Sequence, residues 1–305
     1  AIPPIPGLDQ VSYHVLRTLD DATKLNAAIK QSKRAVVLGA GLVGMHAAEN
    51  LVKAGASVTI VEMAKQLTDG YFDAIAAGLI EKAFTDNGAT ILTGSRVVKL
   101  TPSNIGATLT LENGTTLEAD LLLVATGVRP NMEYLAGSQV EHDRGILVGD
   151  TMQTSVANVW SAGDCAQARG FFTDAMVMNA ILPDATEQGR IAGMAMAGDP
   201  GVKHGPAHVQ VETVHMFSRH AISMGSSKVP EGGEVVTRFD EASGRYLKAI
   251  FLEGRLRGIY GVNEFFDGGV MCQLILRRVD LTAVKERFLA NPLAVGRELM
   301  SKLWR

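Results

Sequence analysis

Cysteine is scarce. Cys165 and Cys272 are the two in the chain, and two thiols this far apart in sequence build neither a disulfide framework nor a four-thiolate metal site. Such usage fits a reducing cytoplasm. Long apolar runs are missing too, because Gly, Asp, Arg or Lys interrupts each hydrophobic stretch before the ~18 residues of a membrane span are reached. Nor is there an excess of positive charge. The 29 Lys plus Arg stand against 32 Asp plus Glu, a net charge of -3, which gives no field for nucleic acid or an anionic membrane. No solenoid repeat or low-complexity tract occurs. No basic-then-apolar leader opens the chain; it begins Ala1-Ile2-Pro3-Pro4-Ile5-Pro6-Gly7 without an initiator Met. That opening predicts an extended, polyproline-like linker and a sequence that starts inside a longer protein. What is present is core material: 47% apolar residues and 20% charged residues over 305 positions. This composition predicts a globular chain of about two compact units at ~150 residues per domain.

The hydrophobic period changes along the chain. A helical pattern carries Leu25, Ala28 and Ile29 on one face, followed by a buried strand over 35–38, a glycine turn over 39–44, a helix over 45–54 and a strand over 57–62. This is a βαβ unit. A helix over 74–87 stops at Gly88 and a short strand follows at 90–92. Alternation over 97–118, with Asn113-Gly114 at its centre, predicts an antiparallel hairpin. The apolar run over 120–125 reads as a strand buried on both faces, closing the sheet at Thr126-Gly127. Two short strands over 145–164 and a helix over 183–197 belong to a different lobe. Gly198-Asp199-Pro200-Gly201 reads as a linker. Strands over 209–217, 234–239, 246–252 and 256–262, with two helices, predict a terminal α+β domain.

The strongest chemical signal is Gly39-Ala40-Gly41-Leu42-Val43-Gly44, set between a strand and a helix. Gly39 suits the tight turn, Gly41 lets a pyrophosphate approach the backbone at the helix N-terminus, and Gly44 lets helix and strand pack closely. Glu62, at the end of the next strand, is placed to accept from both adenosine ribose hydroxyls and to repel a 2′-phosphate, which favours NAD over NADP. Lys65 nearby weakens that preference. The plainer reading of the loop is tight packing alone.

Three segments together carry a family resemblance: residues 38–44; Ala125-Thr126-Gly127-Val128-Arg129-Pro130-Asn131; and Val159-Trp160-Ser161-Ala162-Gly163-Asp164-Cys165-Ala166. In order and spacing the chain resembles the FAD-dependent pyridine nucleotide-disulfide oxidoreductases. It is most similar to the branch of NADH oxidases, rubredoxin or ferredoxin reductases and nitrite reductase large subunits. The resemblance implies an α/β fold in which a Rossmann-like NAD-binding domain is inserted in a partial FAD-binding domain and followed by a small α+β C-terminal domain. The corresponding divisions are 1–30, a linker and helix from the FAD lobe; 31–144, NAD-binding; 145–203, the C-terminal part of the FAD-binding domain; and 204–305. It implies FAD and NAD as cofactors, with Gly39, Gly41, Leu42, Val43, Gly44 and Glu62 on NAD and Thr126 and Gly127 joining the lobes. Gly163 and Asp164 fall at the flavin ribitol, and the N-terminus of the helix near Asp184 and Ala185 at the flavin pyrimidine, with Leu182 and Gln188 as further lining residues. Asp164 also has a physical case of its own, as an acceptor at the carboxyl end of a strand beginning near Val159; capping the next turn is the alternative.

Three departures limit what is carried over. The first FAD-binding βαβ unit of relatives, and any redox cysteine within it, has no counterpart here; Cys165 and Cys272 read as small buried residues. His46 stands where many relatives have a Glu that pairs with a Lys near the flavin, and reads as a packed helix residue. The last histidine is His220, so the C-terminal His-Glu acid-base pair of glutathione-type reductases is not expected. The spacing of His204, His208, His215 and His220 is too irregular for a metal set. Arg277, Arg278, Lys285 and Arg287 read as a solvated helix face, or as a patch for an acidic electron carrier.

The expected function is hydride transfer between NAD(H) and FAD, with electrons passed to or from a further protein or small molecule. The alternatives are an NAD-binding subunit of an iron-sulfur complex, or a module that binds NAD without flavin. A homo-oligomer or a subunit of a complex is expected, because Val211, Val214, Met216 and Phe217 would otherwise expose an apolar sheet face. Cover by a second subunit or by the chain's own FAD lobe follows.

Overall fold

A computed structural model describes residues 1–173, 175–199, 209 and 211–303. The first helix, α1 (Leu19–Ile29), is started by a capping box in which the Thr18 hydroxyl accepts from Asp21 N–H and the Asp21 carboxylate accepts from Thr18 N–H. The βαβ unit follows as β1 (Arg34–Leu38), α2 (Leu42–Lys53) and β2 (Ser57–Val61), then α3 (Ala74–Asp86) and β3 (Thr90–Leu92). An antiparallel meander of β4 (Val97–Ser103), β5 (Gly106–Leu111) and β6 (Thr116–Ala119) leads into β7 (Leu121–Val124). The parallel sheet has the order β3-β2-β1-β7.

Strand β7 is apolar and buried at every position, and β1 is so after Arg34, because both faces are covered. Ala35, Val37, Leu121 and Leu123 face the core formed with α2 and α3. Val36, Leu38, Leu122 and Val124 face the meander. The Pro-rich opening packs on that meander: Leu8 and Val11 are buried in its core, and His14 N–H donates to the Leu122 carbonyl at 2.8 Å. The loop between β5 and β6 places Gly114 at φ 84°, with its N–H donating to the Leu111 carbonyl. This is a three-residue hairpin loop with glycine in the left-handed position, one residue longer than the tight turn expected from Asn113-Gly114.

The next unit pairs β8 (Ile146–Leu147) with β9 (Ala166–Arg169) and β9 with β10 (Met176–Val177), backed by α4 (Leu182–Met196) through Ile191 and Ala192. One expectation is corrected here: no strand runs from Val159 into Asp164. Residues 163–165 form a 3-10 turn that precedes β9, because Gly163 sits at φ 82° and breaks the extended backbone.

The C-terminal sheet contains β11 (Val211–Met216), β12 (Arg219–Gly225), β13 (Glu234–Asp240), β14 (Arg245–Leu252) and β15 (Arg255–Val262), in the order β11-β12-β15-β14-β13. Three helices follow, α5 (Gly268–Leu276), α6 (Lys285–Ala290) and α7 (Pro292–Leu303). Strand β12 was not foreseen. It is joined to β11 by Phe217-Ser218, both left-handed at φ 45° and 67°, a turn without the Asn or Gly that announces such a hairpin. Tertiary contacts hold it instead: Phe217 N–H donates to Glu49 Oε1 at 2.8 Å, and the Phe217 ring lies edge-on to Phe84 at 4.9 Å.

The apolar face of this sheet is the second correction. Val214, Met216, Ala221, Tyr246, Ile250, Tyr260 and Val262 are buried in one core with Met45, Leu51, Phe72 and Phe84. The cover expected from a second subunit or the FAD lobe is supplied by α2 and α3 of the same chain. Val211 faces the other side, toward α5 and α7. Among the described residues no helix is long and apolar enough to cross a membrane.

Candidate functional site

The candidate residues fall into two groups. The first surrounds the turn from β1 into α2. Gly39 has φ 102°, and a Cβ there would lie 2.5 Å from the Ala125 carbonyl oxygen. Gly44 is excluded from carrying a side chain by packing, since its Cβ would lie 2.1 Å from the Gly39 carbonyl oxygen. Gly41 differs from both: it has φ -73° and ψ 178°, a conformation open to any residue, and nothing lies within 4 Å of the Cβ it lacks. Backbone therefore crowds Gly39 and Gly44, while the approach at Gly41 is open. Gly41 is also the N-cap of α2 and makes no side-chain cap, so the first N–H groups of the helix, from Leu42 onward, are without intrahelical partners. Leu42 is half-buried and Val43 half-exposed at this mouth.

Glu62 follows β2 directly. Its Oε2 accepts from Ala40 N–H at 2.7 Å and its Oε1 from Ala64 N–H at 2.7 Å. Each carboxylate oxygen keeps a further acceptor site. The same segment grips the loop again where Thr68 N–H donates to the Ala40 carbonyl at 3.0 Å. Thr68 is buried and left-handed at φ 49°, and sequence reasoning passed it over because Thr is an ordinary residue for a loop. Lys65 is exposed. Thr126 and Gly127 adjoin Gly39 across the sheet end: the missing Gly39 Cβ would lie 3.3 Å from Thr126 Cα, and Gly127 has φ 89° with open space around it.

The second group joins the 163–165 turn to the start of α4. Gly163 N–H donates to Gln188 Oε1 at 2.8 Å, and Gln188 Nε2 donates to Asp184 Oδ2 at 3.2 Å. Asp184 and Gln188 are buried, whereas Leu182 at the helix start is 79% exposed. Ala185 meets the turn directly, its Cβ 3.5 Å from the position a Gly163 Cβ would take. Asp164 itself is half-exposed, with Arg17 Nη2 at 3.7 Å. Arg17 is a partner the sequence did not signal, being remote in the chain and in no motif. The N-cap of α4, Ile181, makes no side-chain cap; in the first turn Pro183 carries no N–H and Ala185 N–H donates to the Ile181 carbonyl at 3.0 Å, and the positive end of the helix lies at Leu182. A positive helix end next to an acceptor for hydroxyls suits a polyhydroxylated, anion-bearing ligand such as the ribityl flavin.

Of the remaining candidates, His46 and Cys165 adjoin these groups, and the others belong to neither. His46 Nδ1 is 2.8 Å from the Leu42 carbonyl within α2. Cys165 Sγ contacts Ser161 Oγ at 3.4 Å and the Ala162 carbonyl at 3.5 Å. Burial pushes the Cys272 thiol above its ordinary value. His215 and His220 are cross-strand neighbours with ring centroids 4.4 Å apart; burial and then His215 hold the His220 imidazole below its usual range. His204 and His208 lie outside the described residues. Among the described residues no group of three or more His, Cys, Asp or Glu converges for a metal ion. Within the basic run, Lys285 is paired with Glu234 and Arg287 with Glu298.

Residues 1–198 match the family described as pyridine nucleotide-disulphide oxidoreductase. The NADH-dependent phenylglyoxylate dehydrogenase subunit epsilon of Aromatoleum evansii is 74% identical over 306 residues, covering 100% of this chain and 72% of that protein. Rubredoxin-NAD(+) reductase of Acinetobacter baylyi is 31% identical over 207 residues, covering 67% of this chain and 51% of that one. Among solved structures, the water-forming NADH oxidase from Lactobacillus brevis bound to NADH superposes with a TM-score of 0.82 at 23% identity, over 92% of this chain and 66% of that one. This last likeness is one of fold.

Proposed function

The chain belongs to the pyridine nucleotide-disulphide oxidoreductase family, and from that premise we propose that it is the NAD-linked electron-transfer subunit of a larger dehydrogenase complex. It is an NAD(H)-linked oxidoreductase of the FAD-dependent kind. The finer reading is that electrons pass between NAD(H) and a partner subunit. It is supported by the likeness to a named subunit of a multi-subunit dehydrogenase and to a reductase of a small electron carrier. We place this activity in the cytoplasm, in keeping with two cysteines that are both free.

The observation that carries the site assignment is the open approach at Gly41, flanked by the Glu62 carboxylate anchored on Ala40 N–H. Gly39 and Gly44 shape the loop, and the N–H groups of Leu42, Val43 and Gly44 receive the pyrophosphate. Glu62 accepts from the adenosine ribose. Thr126 and Gly127 border the loop on the β7 side. On the second group, Gly163 and Asp164 accept the ribityl chain, and the α4 N-terminus around Asp184 and Ala185 turns its positive end toward the flavin ring. The two cofactors, when bound, supply hydride exchange between nicotinamide and flavin; the side chains orient the rings and exclude water.

The test is anaerobic addition of NADH to the purified protein followed in the visible range. Loss of flavin absorbance in the parent, and its loss at much higher NADH concentration in Glu62→Arg, is the expected result. A variant reduced at the same NADH concentration as the parent refutes the assignment of Glu62, and a parent with no flavin absorbance favours the module that binds NAD without flavin.

A further inference from the structure

We propose that a cleft between the Phe171-Phe172 loop, β15 and the end of α5 is a binding site for a dianionic oxyanion, inorganic phosphate or a phosphate monoester, held by Arg257 and Arg278. The cleft measures about 110 Å³ and is lined by Phe171, Phe172, Glu253, Arg255, Arg257 and Arg278 among others. Sites for drug-sized or nucleotide ligands run from about 300 Å³ upward; this one has room for a single compact group.

Its charged lining is three guanidinium groups and the Glu253 carboxylate, a net positive charge. Arg257 Cζ stands 4.5 Å from the Phe172 ring centroid, and Arg278 Cζ 5.6 Å from that of Phe171. The two rings meet edge to face at 4.9 Å, so two cations are fixed over one aromatic pair. Arg255 shares its charge with Glu253 at 3.6 Å. Arg257 and Arg278 have no ion pair among the described residues, unlike Lys285 and Arg287 nearby. Burial, and then the Arg278 charge, push Arg257 below the ordinary guanidinium range against the smaller opposing pull of the Glu253 carboxylate, so the repulsion between the two cations outweighs the counter-charge beside them.

The backbone adds an independent observation. Arg278 follows the C-cap of α5 at φ 50°, the left-handed position at a helix end that glycine favours. An arginine is disfavoured in that conformation, yet here its side chain lines the cleft. A phosphate monoester carries roughly -1.5 to -2 charge at neutral pH and matches two guanidinium groups that have no ion pair among the described residues, where a carboxylate matches one. The ligand would brace the loop that leaves β9 against the C-terminal domain.

The experiment uses the purified full chain with NAD⁺ at saturation, so that the glycine loop is filled. Inorganic phosphate, glycerol phosphate and acetate are titrated calorimetrically at matched ionic strength. We expect both phosphates to bind at least tenfold more tightly than acetate. The tighter of the two identifies the source as free phosphate or an ester. Arg278→Gly fits the left-handed backbone, so it should keep or raise Tm while weakening phosphate at least tenfold; Arg277→Gln should leave phosphate affinity as in the parent. Acetate binding equal to phosphate, no phosphate heat in the parent, or parent affinity in folded Arg278→Gly would each overturn the proposal. Should Arg278→Gly fail to fold, Arg257→Lys gives the same reading.

Discussion

Gly41 and Gly44 sit three residues apart in one loop, and the geometry assigns them opposite sensitivities. At Gly41 the backbone already lies in the extended region and a Cβ meets nothing within 4 Å. Gly41→Ala should therefore change stability by less than about 1 kcal/mol, the small loss of a glycine N-cap offsetting the small gain in chain entropy. Its methyl group would occupy the approach that the pyrophosphate needs. Displacing the ligand by one methyl removes close N–H contacts, and a loss of about 1.4 kcal/mol is already tenfold in affinity; Gly41→Val should lose more. At Gly44 the added Cβ would stand 2.1 Å from the Gly39 carbonyl oxygen, an atom of the backbone that cannot swing away. Overpacking of this kind costs about 1–3 kcal/mol, which at ~2–4 °C per kcal/mol lowers Tm by several degrees in a domain of this size. Thermal unfolding followed by circular dichroism, together with NADH titration by fluorescence, separates the two. Parent affinity in Gly41→Val refutes the reasoning. So does a destabilised Gly41→Ala beside an unaffected Gly44→Ala.

Glu62→Arg should lower affinity for NADH and raise it for NADPH, read from KM for each; unchanged KM for both removes Glu62 from the ribose site. Asp73 caps α3 and also accepts from Tyr246 Oη at 2.6 Å and Lys248 Nζ at 3.1 Å. Burial pushes its carboxyl up, but the bonds from Tyr246, Ala76 N–H and Lys248 outweigh it and leave the carboxyl below 3.8. A depressed value in the folded state stabilises the fold above the ordinary aspartate range, and that stabilisation is lost as pH falls through and below it. Asp73→Asn should cost about 1–3 kcal/mol at neutral pH and flatten the acid limb of a Tm-against-pH curve; an unchanged limb points elsewhere. A chain ended after Asp199 should lose cooperative unfolding and aggregate, because it strips Val214, Met216, Tyr246 and Tyr260 from the core shared with α2 and α3; a monomeric, sharply melting product contradicts the shared core.

Local signals were legible where chemistry and backbone demand coincide. The glycine turn, the both-faces-buried β7 and the Pro-initiated α4 are written in residue type and period, and the structure has them within a few residues. Harder to read were features fixed by distant partners. Phe217-Ser218 turns a hairpin with residues that disfavour the left-handed region, and the Glu49 carboxylate and Phe84 ring that hold it come from elsewhere in the chain. Asp164 looked like a strand end because Val159-Trp160 is apolar, yet one left-handed Gly163 suffices to make a turn there. The apolar strand face after the linker was legible as needing cover, but no sequence pattern names the surface that covers it.

That cover has a consequence for the site. Helix α2 carries the glycine loop at its N-terminus and, one face along, Met45, Ala48 and Leu51 in the core shared with the C-terminal sheet. Its buried Glu49 spans the junction, accepting from Phe217 N–H at 2.8 Å and pairing with Lys53 at 2.7 Å; burial opposes its ionisation, yet Lys53 and the Phe217 N–H hold the carboxyl below its ordinary value. The segment after α2 and β2 is fastened in the same way, with Ser223 Oγ donating to the Tyr71 carbonyl at 2.9 Å and Ser227 Oγ to that of Gly70 at 2.7 Å. Residues 62–68, which hold Ala40 from both sides through Glu62 and Thr68, lie directly before these anchors. The C-terminal sheet thus fixes the helix behind the loop and the segment in front of it. Preorganised donors act on a ligand without a reorganisation cost at the moment of binding, so on the proposed assignment of the nucleotide to this loop the sheet would contribute to affinity from a distance, through the rigidity of the two elements that shape Gly41.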